Sequence, residues 1–159
     1  MIEMDDVLRA TADAVSEFGD TVLAMEVQTK PLEHDFTAVD KLMNHVSIAL
    51  VSDSVALQLA VCAPGDSCEA LSRALLGMEE GEDIESEDVA DGIGELANII
   101  AGGLKSRLDD AYPALKLGLP VWNNQVPEPC QKSTDVGCVP ASIGDHPVTL
   151  TVMREARSS

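Results

Sequence analysis

The stretch SEDVADGIGELANIIAGGLKSRL, residues 86–108, carries apolar residues at helical spacing. An α-helix turns about 100° per residue, so Val89, Ile93, Leu96, Ile100 and Leu104 collect on one side. Asp91, Glu95, Asn98 and Gly102 collect on the other, within roughly 60° of one another. Ser86 stands where an N-cap is expected, Glu87 and Asp88 suit the first turn, and Pro113 forbids extension beyond about Leu108. One face is therefore built to be buried, while the opposite face presents a carboxylate and an amide one turn apart. Four glycines, Gly92, Gly94, Gly102 and Gly103, oppose the helix at about 1 kcal/mol each relative to alanine. Either they allow tight packing against a neighbouring element, or Gly102 lets a partner's backbone approach the polar face closely.

The segments on the N-terminal side supply a sheet and two more helices. Residues 79–95 hold nine acids and no base, and part of this stretch reads as loop. Before it, residues 67–76 read as a helix, with Asp66 as N-cap, Glu69 three residues on, and Gly77 as the residue after its end. Val46–Ser52 and Val55–Cys62 are β-branched, apolar runs joined by Asp53-Ser54, the pattern of a β-hairpin. Residues 21–30 suggest a strand cut by Pro31. Residues 3–18 place Val7, Thr11, Ala14, Val15 and Phe18 on one helical face, with Gly19 at the expected end.

On the C-terminal side, Leu115–Trp122 reads as a strand in which Pro120 implies an edge or a bulge. Residues 123–147 contain Pro127, Pro129, Pro140 and Pro147 and read as an extended loop or a short irregular strand. Val148–Met153 alternates as a final strand. No low-complexity linker divides the chain, so one domain over residues 1–159 is expected. The fold class is α+β, with a mixed, largely antiparallel sheet and packed helices.

Composition narrows the function. The 28 acidic and 10 basic residues give a net charge of -18. Such a surface is repelled by nucleic-acid phosphates and anionic lipid, so neither is an expected partner. Only 3% of residues are aromatic, too few for a base-stacking platform. The acidic start, Met1 to Asp6, is unlike a secretory signal, and no run approaches a membrane span, which points to the cytoplasm. Cys62, Cys68, Cys130 and Cys138 match no zinc spacing. In a reducing compartment they are expected as free thiols, which argues against a Cys130–Cys138 bridge. His34, His45 and His146 are scattered and read as surface or packing residues, so no metal site is expected.

The pattern Asp91-x-x-x-Glu95-x-x-Asn98-x-x-x-Gly102 resembles the signature of the CheC/CheX/FliY chemotaxis phosphatases. The order of elements is similar too: hairpin, helix ending at Leu75-Leu76-Gly77, acidic connector, motif helix, then Gly118-Leu119-Pro120. The resemblance spans roughly residues 45–122. It implies hydrolysis of the aspartyl phosphate on a CheY-like response regulator. Glu95 and Asn98 would be the catalytic pair, with Asp91 and Gly102 meeting the partner. In such a reaction the receiver domain holds its phosphoaspartate with Mg and a lysine, so the phosphatase needs no cofactor of its own. Asn98 would orient a water molecule and Glu95 would pair with the lysine. An adaptor of the same fold that binds a receiver or a flagellar switch component without hydrolysis is the competing reading.

The first helix reads Asp13-x-x-x-Glu17-x-x-Asp20, with Asp where a second motif would carry Asn. A carboxylate there repels a phosphoryl group and has no NH₂ to offer. One intact motif makes CheX a closer match than CheC, and the resemblance to CheX implies a homodimer.

Overall fold

The computed structural model describes residues 2–39, 43–123 and 135–157. In chain order the elements are α1 (Met4–Phe18), a π-helical turn (Gly19–Leu23), β1 (Val27–Thr29), β2 (Asn44–Val51), β3 (Val55–Ala63) and α2 (Gly65–Leu75). Then come α3 (Ser86–Arg107), β4 (Lys116–Leu117), β5 (Val121–Asn123), β6 (Asp135–Ile143) and β7 (His146–Ala156). The strands form one sheet of order β1-β6-β7-β3-β2-β4, with β5 also on β2. Every pairing among them is antiparallel. The α+β expectation holds.

Helices α1, α2 and α3 cover one face of this sheet. The stripe Val89, Ile93, Leu96, Ile100 and Leu104 is buried along its whole length, against β2 and β3. Val7, Thr11, Ala14, Val15 and Phe18 of α1 are buried beside it. At the other end of the core, Arg154 of β7 lies buried and donates to the Tyr112 hydroxyl, the Asp135 carboxylate and the Ile2 carbonyl. That one side chain ties the chain's start to its last strand. Part of the second face is covered by Phe36 and Val39, which pack on Ala60 and Cys62.

Several boundaries differ from the sequence reading. Gly19 does not end α1: it continues into the π-helical turn, and Ala24 ends that turn with φ 53°. A Cβ on Gly19 would stand 2.3 Å from Val27 Cγ2, so this glycine is a site of close approach, not a stop. The strand expected over 21–30 shrinks to Val27–Thr29 as a result. Asp66 and Ser86 lie inside the first turns of α2 and α3, whose N-caps are Pro64 and Glu85 without side-chain capping. Gly77 does take the left-handed conformation, φ 73°, and Met78 N–H reaches back to the Arg73 carbonyl at 2.8 Å. That is the glycine-terminated helix end expected of it.

The largest difference is β6. Residues 135–143 form a nine-residue strand between β1 and β7, where a loop or a short irregular strand was expected. Pro140 is tolerated because its carbonyl accepts from Lys30 N–H, at the end of the short β1. In an antiparallel ladder a residue's nitrogen and carbonyl face the same neighbour, so the missing donor points at the sheet's frayed edge, not at β7.

Cys62, Cys68 and Cys138 are buried free thiols, while Cys130, and with it the pairing considered for it, lies outside the described residues. Burial, foremost, pushes Cys62 and Cys138 up to about 12 and Cys68 up to about 11. The thiolate is the reactive form, so these three should be inert in the folded protein at pH 8. Peptide-level mass spectrometry after iodoacetamide should find them unlabelled until denaturant is added. Prompt native labelling of Cys62 would contradict the burial. The linkage has a definite sign. These thiols hold protons in the folded state that the unfolded chain releases above about pH 9, so stability falls as pH rises beyond that point.

Candidate functional site

Because its apolar stripe is fully engaged, α3 must turn its other face outward. Asp91 and Glu95 are exposed and Asn98 is half-buried. These three, with Gly94, form one wall of an open groove of about 420 Å³. The opposite wall is apolar: Leu119 and Pro120 come from the segment between β4 and β5, and Trp122 from β5 itself. Pro120 leans on α3, its Cβ 3.6 Å from where a Gly94 Cβ would stand.

A β-bulge shapes that second wall. Leu117 faces Leu50 and Gly118 N–H donates to the Ala49 carbonyl, whereas Val121 faces Ser47. Gly118, Leu119 and Pro120 therefore stand against only Ile48 and Ala49. One residue is in excess: Leu119 and Pro120 together stand opposite Ile48. The edge or bulge expected at Pro120 is both. Alternation from Leu115 and Leu117 would carry Leu119 into the core, but the bulge shifts the parity by one. Leu119 is 85% exposed and Trp122 turns inward instead, opposite Val46.

The four glycines of α3 divide by surroundings. A Cβ on Gly92 would lie 2.6 Å from the Ser72 Cβ of α2, so that glycine serves helix packing. Gly103 faces Ala14 of α1 at 3.4 Å. A Cβ on Gly102 would meet nothing within 4 Å among the described residues, and Gly102 is half-exposed. It lies about one turn beyond Asn98 and outside the groove lining. Asp91, Glu95 and Asn98 are thus brought together, and Gly102 extends the same face.

The incomplete pattern on α1 is used differently. Glu17 pairs with Arg107 of α3, while Asp13 and Asp20 are exposed. Leu119 and Trp122 escaped the sequence reading. The triplet Gly118-Leu119-Pro120 was visible, but the parity shift that exposes Leu119 follows from strand register.

The family model described as chemotaxis phosphatase CheX matches residues 46–140. The chain belongs to that family. The match covers most of the hairpin, α2, α3 and the groove. A search of curated proteins gives no match. Among solved structures, a CheC-like superfamily protein from Shewanella sp. PV-4 is similar at TM-score 0.79 and 21% identity, over 94% of this chain and 97% of that one. Chemotaxis protein CheX from Vibrio vulnificus gives 0.76 and 16%, over 94% and 99%. A chain of a CheX–CheY–BeF3–Mg complex from Borrelia burgdorferi gives 0.70 and 16%, over 99% and 100%. At these identities the likeness is one of fold. Among the described residues no helix is long and apolar enough to cross a membrane.

Proposed function

We propose that this protein hydrolyses the aspartyl phosphate of a CheY-like receiver domain in the cytoplasm, with Asn98 and Glu95 as its working pair. The observation that carries this is the placement of Glu95 and Asn98 together on the accessible wall of the groove. The Borrelia neighbour, solved with CheY, BeF3 and Mg, supports the choice of partner. The receiver supplies the metal ion and the lysine, and this chain supplies the position of the water. The Asn98 carbonyl accepts a hydrogen bond from that water while its NH₂ donates to a phosphoryl oxygen. An amide is no base at neutral pH, so its contribution is orientation, as with the glutamine of small GTPases. The water oxygen forms the new bond to phosphorus as the bond to the aspartate oxygen breaks. Inorganic phosphate and a free aspartate carboxylate result. Glu95 pairs with the receiver's lysine and sets the docking register, and Asp91 adds negative potential beside it.

The deciding measurement is phosphate release from an acetyl-phosphate-treated CheY-like receiver, with and without this protein. Release no faster than the receiver's own decay, together with binding, would leave the adaptor reading in its place. The family resemblance also supports a homodimer, which would cover a sheet edge. Sedimentation that shows only monomer at high micromolar concentration would count against that part.

Gly102 offers a test of opposite signs. Its missing Cβ relieves no contact among the described residues. Gly102→Ala should therefore stabilise α3 by up to about 1 kcal/mol, raising Tm by about 2–4 °C. If a partner's backbone approaches here, the same change should weaken receiver binding by about tenfold. A variant with raised Tm and unchanged affinity would remove Gly102 from the interface.

A further inference from the structure

Leu119 is 85% exposed, and the bulge that expels it is built into the sheet edge directly across the groove from Glu95 and Asn98. Bulges beside functional sites re-aim side chains in this way. The groove therefore has two unlike walls: a carboxylate and amide wall on α3, and an aliphatic and aromatic wall of Leu119, Pro120 and Trp122. Among the described residues its lining holds two carboxylates and no Lys, Arg or His.

An occupant that satisfies both walls carries a cation on an aliphatic stem. A lysine side chain does so, because its methylenes bury against apolar surface while its ammonium seeks charge. The acidic polar wall, Asp91 and Glu95, selects a cationic group on the occupant. We infer that Leu119 is a specificity-determining docking residue: with Trp122 it packs along the stem of the receiver lysine whose ammonium meets Glu95. The inference rests on the proposed phosphatase reading and adds to it the apolar half of the contact. Leu119 also withholds water from the ion pair, and a shielded pair is screened less by salt than an exposed one.

The test is the Leu119→Ala variant with an acetyl-phosphate-treated CheY-like receiver, and with the same receiver bound to BeF3 and Mg for affinity. KM should rise by about tenfold, the scale that burying most of a leucine side chain supplies. The kcat should stay near wild type, and binding should weaken more steeply with added salt than in wild type. Leu119→Met should restore most of the affinity. The melting curve should not move, because the side chain makes few contacts of its own. A wild-type protein with no phosphatase activity would end the parent reading. An active wild type whose Leu119→Ala variant keeps its KM and salt slope would end this one alone. A variant that instead changes the sedimentation state would give Leu119 to self-association and overturn the assignment.

Discussion

Replacing Asn98 by Ala is expected to cut dephosphorylation of a saturating phosphorylated receiver by at least about tenfold, equivalent to roughly 1.4 kcal/mol of barrier. Binding of the BeF3-loaded receiver should stay near wild type. The asymmetry follows from position. Asn98 is half-buried on the groove wall, and its amide is asked to act only when a water stands between it and phosphorus. Truncation removes the group that orients the water and little of the contact surface. Glu95→Ala should behave otherwise, weakening affinity and turnover together, because its proposed partner is a lysine in a partly desolvated contact. Asp20→Ala serves as the control. It lies exposed on the π-helical turn after α1, in the incomplete copy of the motif, and should change neither quantity. Full turnover by Asn98→Ala would end the water-orienting role. An effect of Asp20→Ala as large as that of Asn98→Ala would mean that both helices take part.

Gly92→Ala should destabilise the fold although alanine is the better helix former. The new Cβ would stand 2.6 Å from the Cβ and hydroxyl of Ser72 and 3.0 Å from its Cα, so the backbone of α2 itself must move. Ser72 is also committed, donating to the Val89 carbonyl at 3.0 Å across the α2–α3 contact. Overpacking of this kind costs about 1–3 kcal/mol, and a chain of this length should lose about 2–4 °C in Tm per kcal/mol. Phosphatase activity should fall with it, because α3 carries the groove wall. Ser72→Gly in the Gly92→Ala background should recover part of the loss, since it removes the atoms that collide. If Gly92→Ala is neutral and shows no coupling to Ser72→Gly, the close approach of the two helices is wrong. The contrast with Gly102→Ala, where nothing stands in the way, separates packing from docking on a single helix.

Much of this protein is local and was therefore legible. The stripe from Val89 to Leu104 is set by helical periodicity, and it alone forces Asp91, Glu95 and Asn98 outward together. The hairpin from Asn44 to Ala63 and the left-handed Gly77 follow from residue chemistry within a few positions. What required tertiary structure was every feature set by a neighbour distant in sequence. Gly19 looked like a stop and proved to be a clearance for Val27. The strand β6 was hidden by Pro140, whose missing donor matters only if a neighbouring strand needs it, and β1 ends at that point. Asp66 and Ser86 are plausible caps by type, but the entering chain placed Pro64 and Glu85 at the boundary instead. The groove shows the division most plainly. Spacing along one helix determined its polar wall. Its apolar wall depends on a one-residue slip between β2 and the β4–β5 segment. A strand's facing alternates every residue, so only the register of that pairing decides that Leu119 points outward and Trp122 inward.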